Sequence, residues 1–143
     1  MIPIIALGLA TATAFTGAAG YINFSEQPAR LSLDDVSLLK EWKPSYARGL
    51  QMQAPLALIS GLLGVAAWYF LHSVAAGIGG CLMLANMPYT LLVIAPTNRK
   101  LGATAEHDAG PKSRALIQRW GKLHGVRTLL GLAASIAFVA ASM

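Results

Sequence analysis

Three residues near the carboxyl end of the chain have types and spacing suited to joint chemistry. Trp120, His124 and Arg127 stand at i, i+4 and i+7, which puts them on one face of a helix. A histidine there supplies a base that titrates near neutral pH, an arginine supplies a fixed positive charge for a developing oxyanion, and the indole supplies a flat apolar wall. The same spacing suits an interfacial anchor, with Arg127 reaching toward lipid headgroups and Trp120 in an aromatic belt. A second group, Glu26-Gln27-Pro28-Ala29-Arg30, opens with an acid that could pair with Arg30, Arg127 or His124, or that simply marks where the chain leaves an apolar run. A third, Trp42-Lys43-Pro44-Ser45-Tyr46-Ala47-Arg48, offers stacking faces and cations to a flat aromatic ligand, although anchoring to lipid explains the same residues.

Other chemistries drop out. Cys81 is the single cysteine, so the chain has no intramolecular disulfide and no paired-thiol motif. Glu26, His107, Asp108 and His124 are metal-ligand types without metal-ligand spacing, and no metal is expected. The sequence lacks a glycine-rich phosphate loop and a nucleophile elbow, which sets aside phosphoryl transfer and serine hydrolysis.

The elements that position these residues follow from where charge is absent. All 17 charged residues lie in two windows, eight from Glu26 to Arg48 and nine from Arg99 to Arg127, leaving uncharged stretches of 25, 50 and 16 residues. A bilayer crossing takes about 20 apolar residues, so the pattern predicts an all-α, polytopic four-transmembrane-helix bundle in one domain, with spans at about 3–22, 50–71, 75–95 and 120–141. That distribution also excludes a nucleic-acid partner for the net charge of +5; the expected partner is the lipid bilayer. No Lys or Arg precedes the first apolar run, which argues against a cleaved signal peptide. All 11 Lys and Arg residues fall in the two windows, so the positive-inside rule places both charged loops in the cytoplasm and both termini outside.

Within the first loop, Ser32 and Asp35 resemble a capping box. Val36, Leu39 and Trp42 then form one face of a short amphipathic helix that Pro44 ends, lying along the membrane surface. Pro88 should free a carbonyl in the third span, with Asn86 and Thr90 as its nearest partners. Pro96-Thr97-Asn98 should end that span, and Gly110-Pro111 should start the last helix. The uncharged stretch from Thr128 covers 16 residues, about 24 Å of helix against a hydrocarbon core of about 30 Å. The fourth span must therefore draw in His124 and Arg127, and ionisable groups at that depth face a bundle interior. The Trp42 and Trp120 segments both precede a span, which hints at two related hairpins. Small-residue faces on the first and third helices permit close packing within the chain or in a homo-oligomer.

The segments Glu26-Gln27-Pro28-Ala29-Arg30, Trp42-Lys43-Pro44-Ser45-Tyr46, Thr90 with Pro96-Thr97-Asn98-Arg99-Lys100-Leu101, and Trp120 through Thr128 together resemble the anthrone-oxygenase-like integral membrane family. The resemblance implies a four-helix membrane bundle, in bacteria an inner-membrane protein. It also implies an oxygenase that uses O2 as co-substrate, without organic or metal cofactor, to oxidise a lipophilic aromatic small molecule of the anthrone or hydroquinone kind. On that resemblance the site comprises His124 as base with Glu26 orienting it or standing in for it, Arg127 and Arg30 at the oxyanion, Asn98 on a carbonyl, and Trp42, Tyr46 and Trp120 lining the slot. The alternative is a non-catalytic membrane protein that binds lipophilic aromatics or serves as a partner subunit.

Overall fold

The computed structural model describes residues 3–143, and their order is helical throughout. Four long helices, α1 (Pro3–Leu31), α2 (Asp35–Leu71), α3 (Val74–Ala103) and α4 (Pro111–Ser142), are each long and apolar enough to cross a membrane, as a multi-pass membrane protein requires. They form a square bundle: α1 packs on α2 and α4, and α3 packs on the same two, while the diagonal pairs touch little. Outward faces carry large apolar side chains, among them Leu62, Leu92, Leu129 and Ile136.

The bundle has two cores of different character. One end is filled by small residues around Phe15, Met83 and Phe138, and its helices approach closely. A Cβ on Gly64 would lie 2.5 Å from the Gly80 Cα, and one on Gly80 would lie 2.7 Å from the Gly61 carbonyl, so α2 and α3 touch there only because both lack side chains. At the other end Leu38, Leu39, Trp42, Ile94, Leu101, Ile117 and Trp120 form a second, bulkier cluster.

That second cluster explains two departures from expectation. The helix expected to lie on the membrane surface is instead the first third of α2, which runs unbroken through Pro44 and Pro55. A proline inside a helix costs about 3 kcal/mol, whereas burying large apolar side chains contributes about 1.5–3 kcal/mol each, and Leu38, Leu39 and Trp42 are all fully buried. Val36, expected on the buried face, is exposed, and Leu38 takes its place. The cap also differs: Asp34 accepts from the Val36 and Ser37 amides at 3.1 and 3.0 Å, while Ser32 bonds back to the Ala29 carbonyl. At 37 residues, α2 is about 55 Å long and outreaches a hydrocarbon core of about 30 Å.

The third helix likewise continues past Pro96-Thr97-Asn98 to Ala103. The Asn86 amide bonds the Leu82 and Met83 carbonyls, two residues and one residue short of the Leu84 carbonyl that Pro88 frees. Two wide turns interrupt the α-helical winding, Ile22–Glu26 in α1 and Thr90–Ile94 in α3, and each is followed two residues later by proline, Pro28 and Pro96. In each, an amide reaches back five residues, Gln27 to Ile22 and Ala95 to Thr90, which is the π-type winding found as single turns near functional sites. The His72–Ser73 turn and the Gly110–Pro111 start of α4 fall as expected.

Candidate functional site

All eight residues expected at the site lie toward the bulky end of the bundle, and seven of them meet in one network. Trp42 stacks flat on Tyr46 with ring centroids 5.0 Å apart, meets Trp120 edge-on at 5.8 Å, and Trp120 lies against His124 at 4.9 Å. Asn98 donates to the Tyr46 hydroxyl at 3.0 Å, leaving its own Oδ1 buried without a partner. Arg30 carries its guanidinium 5.6 Å from the Trp120 ring centroid. The aromatic slot expected from the sequence is therefore closed in this structure, because its three rings pack on one another. Arg127 stands one turn beyond, against Phe15.

Glu26 does not reach His124. It hydrogen-bonds Arg30 and Ser45, and Arg30 also donates to Ser45 at 2.8 Å and pairs with Glu41 at 3.0 Å. The orienting role falls to Asn23, a residue the sequence did not single out. Asn23 Nδ2 donates to the Gly121 carbonyl at 2.9 Å, which turns its Oδ1 toward Thr128, 2.8 Å away, and toward His124 Nδ1, 2.9 Å away. An amide oxygen only accepts, so Nδ1 must carry the proton and Nε2 is the nitrogen left with a free lone pair. Gln27 Nε2 and the Tyr89 hydroxyl bond two further α4 carbonyls, Ile117 and Leu123, each at 2.9 Å. A Cβ on Gly121 would fall 2.6 Å from Gln27 Nε2, so glycine there is what lets α1 reach the backbone of α4.

Arg127 is 7% exposed, so it does not snorkel. Its Nε is buried without a hydrogen-bond partner, and among the described residues no carboxylate pairs with it; its guanidinium lies 5.3 Å from the Phe15 ring centroid. Gln53, a second residue missed from sequence, is 1% exposed with both amide atoms unpartnered. Its signal was available: Trp42, Tyr46, Gly49 and Gln53 repeat the i, i+4, i+7 stripe of Trp120, His124 and Arg127 with one step added. Ser45, Tyr46, Gln53, Trp120, His124 and Arg127 line a cavity of about 10 Å³, the size that admits one water-sized molecule. Among the described residues no three His, Cys, Asp or Glu side chains converge as a metal site.

Comparisons with known proteins place the chain in a family. A family model described as anthrone oxygenase matches residues 42–137, which takes in Trp42, Tyr46, Asn98, Trp120, His124 and Arg127. An anthrone oxygenase of Claviceps purpurea (strain 20.1) is 30% identical over 115 residues, covering 72% of this chain and 66% of that protein. The anthrone oxygenase ptaC of Pestalotiopsis fici is 30% identical over 121 residues, covering 69% of this chain and 80% of that protein. The chain thus spans slightly under two thirds of the Claviceps relative's length. No solved structure matches it. With residues 42–137 matched by the family model and 30% identity to both relatives over about 70% of its length, the chain belongs to the anthrone oxygenase family.

Proposed function

We propose that this protein is a membrane-embedded oxygenase that converts an anthrone-like aromatic ketone and O2 to the corresponding quinone and water. The observation that carries the reading is the juxtaposition of His124, whose Nε2 is free to accept a proton, with the unpaired Arg127 guanidinium at a cavity of about 10 Å³. An unpaired buried cation stabilises an anion formed beside it far more than one in water does, and the neighbouring imidazole is a base able to form that anion.

The chemistry then balances without a further reactant. His124 Nε2 takes one proton from the acidic methylene, and Arg127 holds the resulting enolate oxygen. The enolate passes one electron to O2, and the carbon radical and superoxide join to form a C–O bond. The imidazolium returns its proton to the peroxide. Loss of the second methylene hydrogen with cleavage of the O–O bond leaves the new carbonyl and one water. The cavity suits O2 and is too small for the ring system. The reading invokes no organic cofactor and no metal; stoichiometric copper, iron or zinc on the purified active protein would overturn that part.

We place the site end in the cytoplasm, because all 11 Lys and Arg residues lie between Arg30 and Arg127, in the windows at that end. The test is oxygen uptake by the purified protein with a panel of anthrones and hydroquinones. His124→Ala is expected to lower the rate by about 10²–10⁴-fold, the range for a general base. An undiminished rate in that variant would remove His124 from the reaction, and absence of uptake in the wild type would favour a protein that binds such molecules without turnover.

A further inference from the structure

A second cavity of about 100 Å³ opens between α2 and α3, lined by Leu50, Ala54, Ala57, Asn86, Thr90 and Arg127. Leu50 and Arg127 line the small cavity as well, so the two spaces share a wall. Small side chains on α2 leave the room: Ala54 and Ala57 face α3 where bulkier residues would fill it. The rim is apolar, formed by the outward-facing Met87 and Leu91.

Three polar residues break this apolar lining, Thr90 and two that are more than nine-tenths buried, Asn86 at 2% and Arg127 at 7% exposed. The Asn86 amide nitrogen is occupied by the carbonyls of its own helix at 3.2 and 3.3 Å, which leaves Oδ1 as a buried acceptor with no donor. Arg127 Nε is a buried donor with no acceptor. Each such orphan destabilises the folded chain, and a single ligand carrying one donor and one acceptor would relieve both.

We propose that this groove is the binding site of the organic substrate and its route in from the hydrocarbon phase, and that it selects hydroxylated aryl ketones. The ketone or enolate oxygen accepts from Arg127, and a phenol O–H donates to Asn86 Oδ1. At about 100 Å³ the groove is smaller than the roughly 150 Å³ cavity that encloses benzene, so it takes the edge of one ring and leaves the remainder against Met87 and Leu91. Entry from the side also places the substrate's polar edge toward the wall shared with the small cavity. The inference rests on the oxygenase reading for the identity of the substrate, but the site can be tested without turnover.

The experiment uses the full chain in lipid nanodiscs under anaerobic conditions. Quenching of tryptophan fluorescence reports binding of a ring-hydroxylated anthrone whose hydroxyl is not peri to the ketone, and so is free to donate outward, and of the parent anthrone. The wild type is expected to favour the hydroxylated compound by about tenfold, the equivalent of 1.4 kcal/mol. Asn86→Leu should abolish that preference, and Thr90→Phe should weaken both compounds by tenfold or more. If Thr90→Phe does not fold, the Asn86→Leu preference ratio still decides, since a ratio is independent of the folded fraction. Wild-type behaviour in both variants, or no binding to the wild type, overturns the site. Oxygen uptake with unchanged KM in both variants would sink the groove and leave the oxygenase standing. Selective binding that the variants lose, with no oxygen uptake, would do the reverse.

Discussion

Arg30, on the first helical hairpin, is 3% exposed and sits among Glu26, Glu41 and Ser45. Arg127, on the second, is 7% exposed and has no acid beside it among the described residues. The hairpins that carry them are built alike. Each has a π-wound turn with proline two residues on, in α1 and α3, followed by a helix whose stripe begins with tryptophan, Trp42 in α2 and Trp120 in α4. Arg30 and Asn98 both stand two residues after the proline, and Gly49 stands in the first stripe where Arg127 stands in the second. A buried cation with its counter-charges is part of the framework. A buried cation without them costs several kcal/mol and is retained where a transient anion repays it.

The contrast can be broken at either arginine. Arg127→Ala should lower anthrone oxidation by about 10²–10³-fold, the usual loss when one donor to a developing oxyanion is removed, while the thermal unfolding midpoint in detergent holds or rises. A fall in stability with activity per folded molecule unchanged would make Arg127 a packing residue. Arg30→Leu should do the opposite. Removing one member of a buried ion network costs about 3–5 kcal/mol, and because Glu26 and Glu41 keep 24% and 36% side-chain exposure, the loss should fall at or below the low end of that range. It reads as a lower unfolding midpoint, and an unchanged midpoint would show that the network does not hold the bundle.

The smallest effect sharpens the comparison by lying outside both networks. Hydrogen bonds from Ser37, its side chain first, hold the exposed Asp34 carboxyl below its ordinary range. A carboxylate depressed in the folded state stabilises above its unfolded pKa and loses that contribution as pH falls through the folded one. Melting curves of wild type and Asp34→Ala should therefore differ slightly at neutral pH and converge in strong acid. A constant difference across that range would show that capping there does not depend on charge.

Much of this was legible in the order of the residues. Charge absence gave four spans, and the 120/124/127 spacing together with the short uncharged tail put His124 and Arg127 in the interior. The residues that complete the site were harder to read for a physical reason. Asn23 reaches His124 from inside the π-wound turn of another helix, and no periodicity announces a one-residue change in winding. The fusion of the first loop helix with the second span was hidden by Pro44, whose local cost is outweighed only by contacts distant in sequence. Sequence alone leaves Arg30, Arg127 and His124 open as partners for Glu26; Arg30, one turn along the same helix, and Ser45 hold it.

The two π-wound turns also fix something that composition does not. Each adds a residue beyond what an α-helix would use, so the phase of everything after it is set by chain length and not by residue type. Deleting one residue between Tyr21 and Pro28 would restore ordinary winding, rotate the following segment by about 100° and draw it back about 1.5 Å. Arg30 would leave Trp120, and Gln27 would leave the Ile117 carbonyl. In this stretch, and in its counterpart before Pro96, single-residue deletions should be tolerated less well than most substitutions.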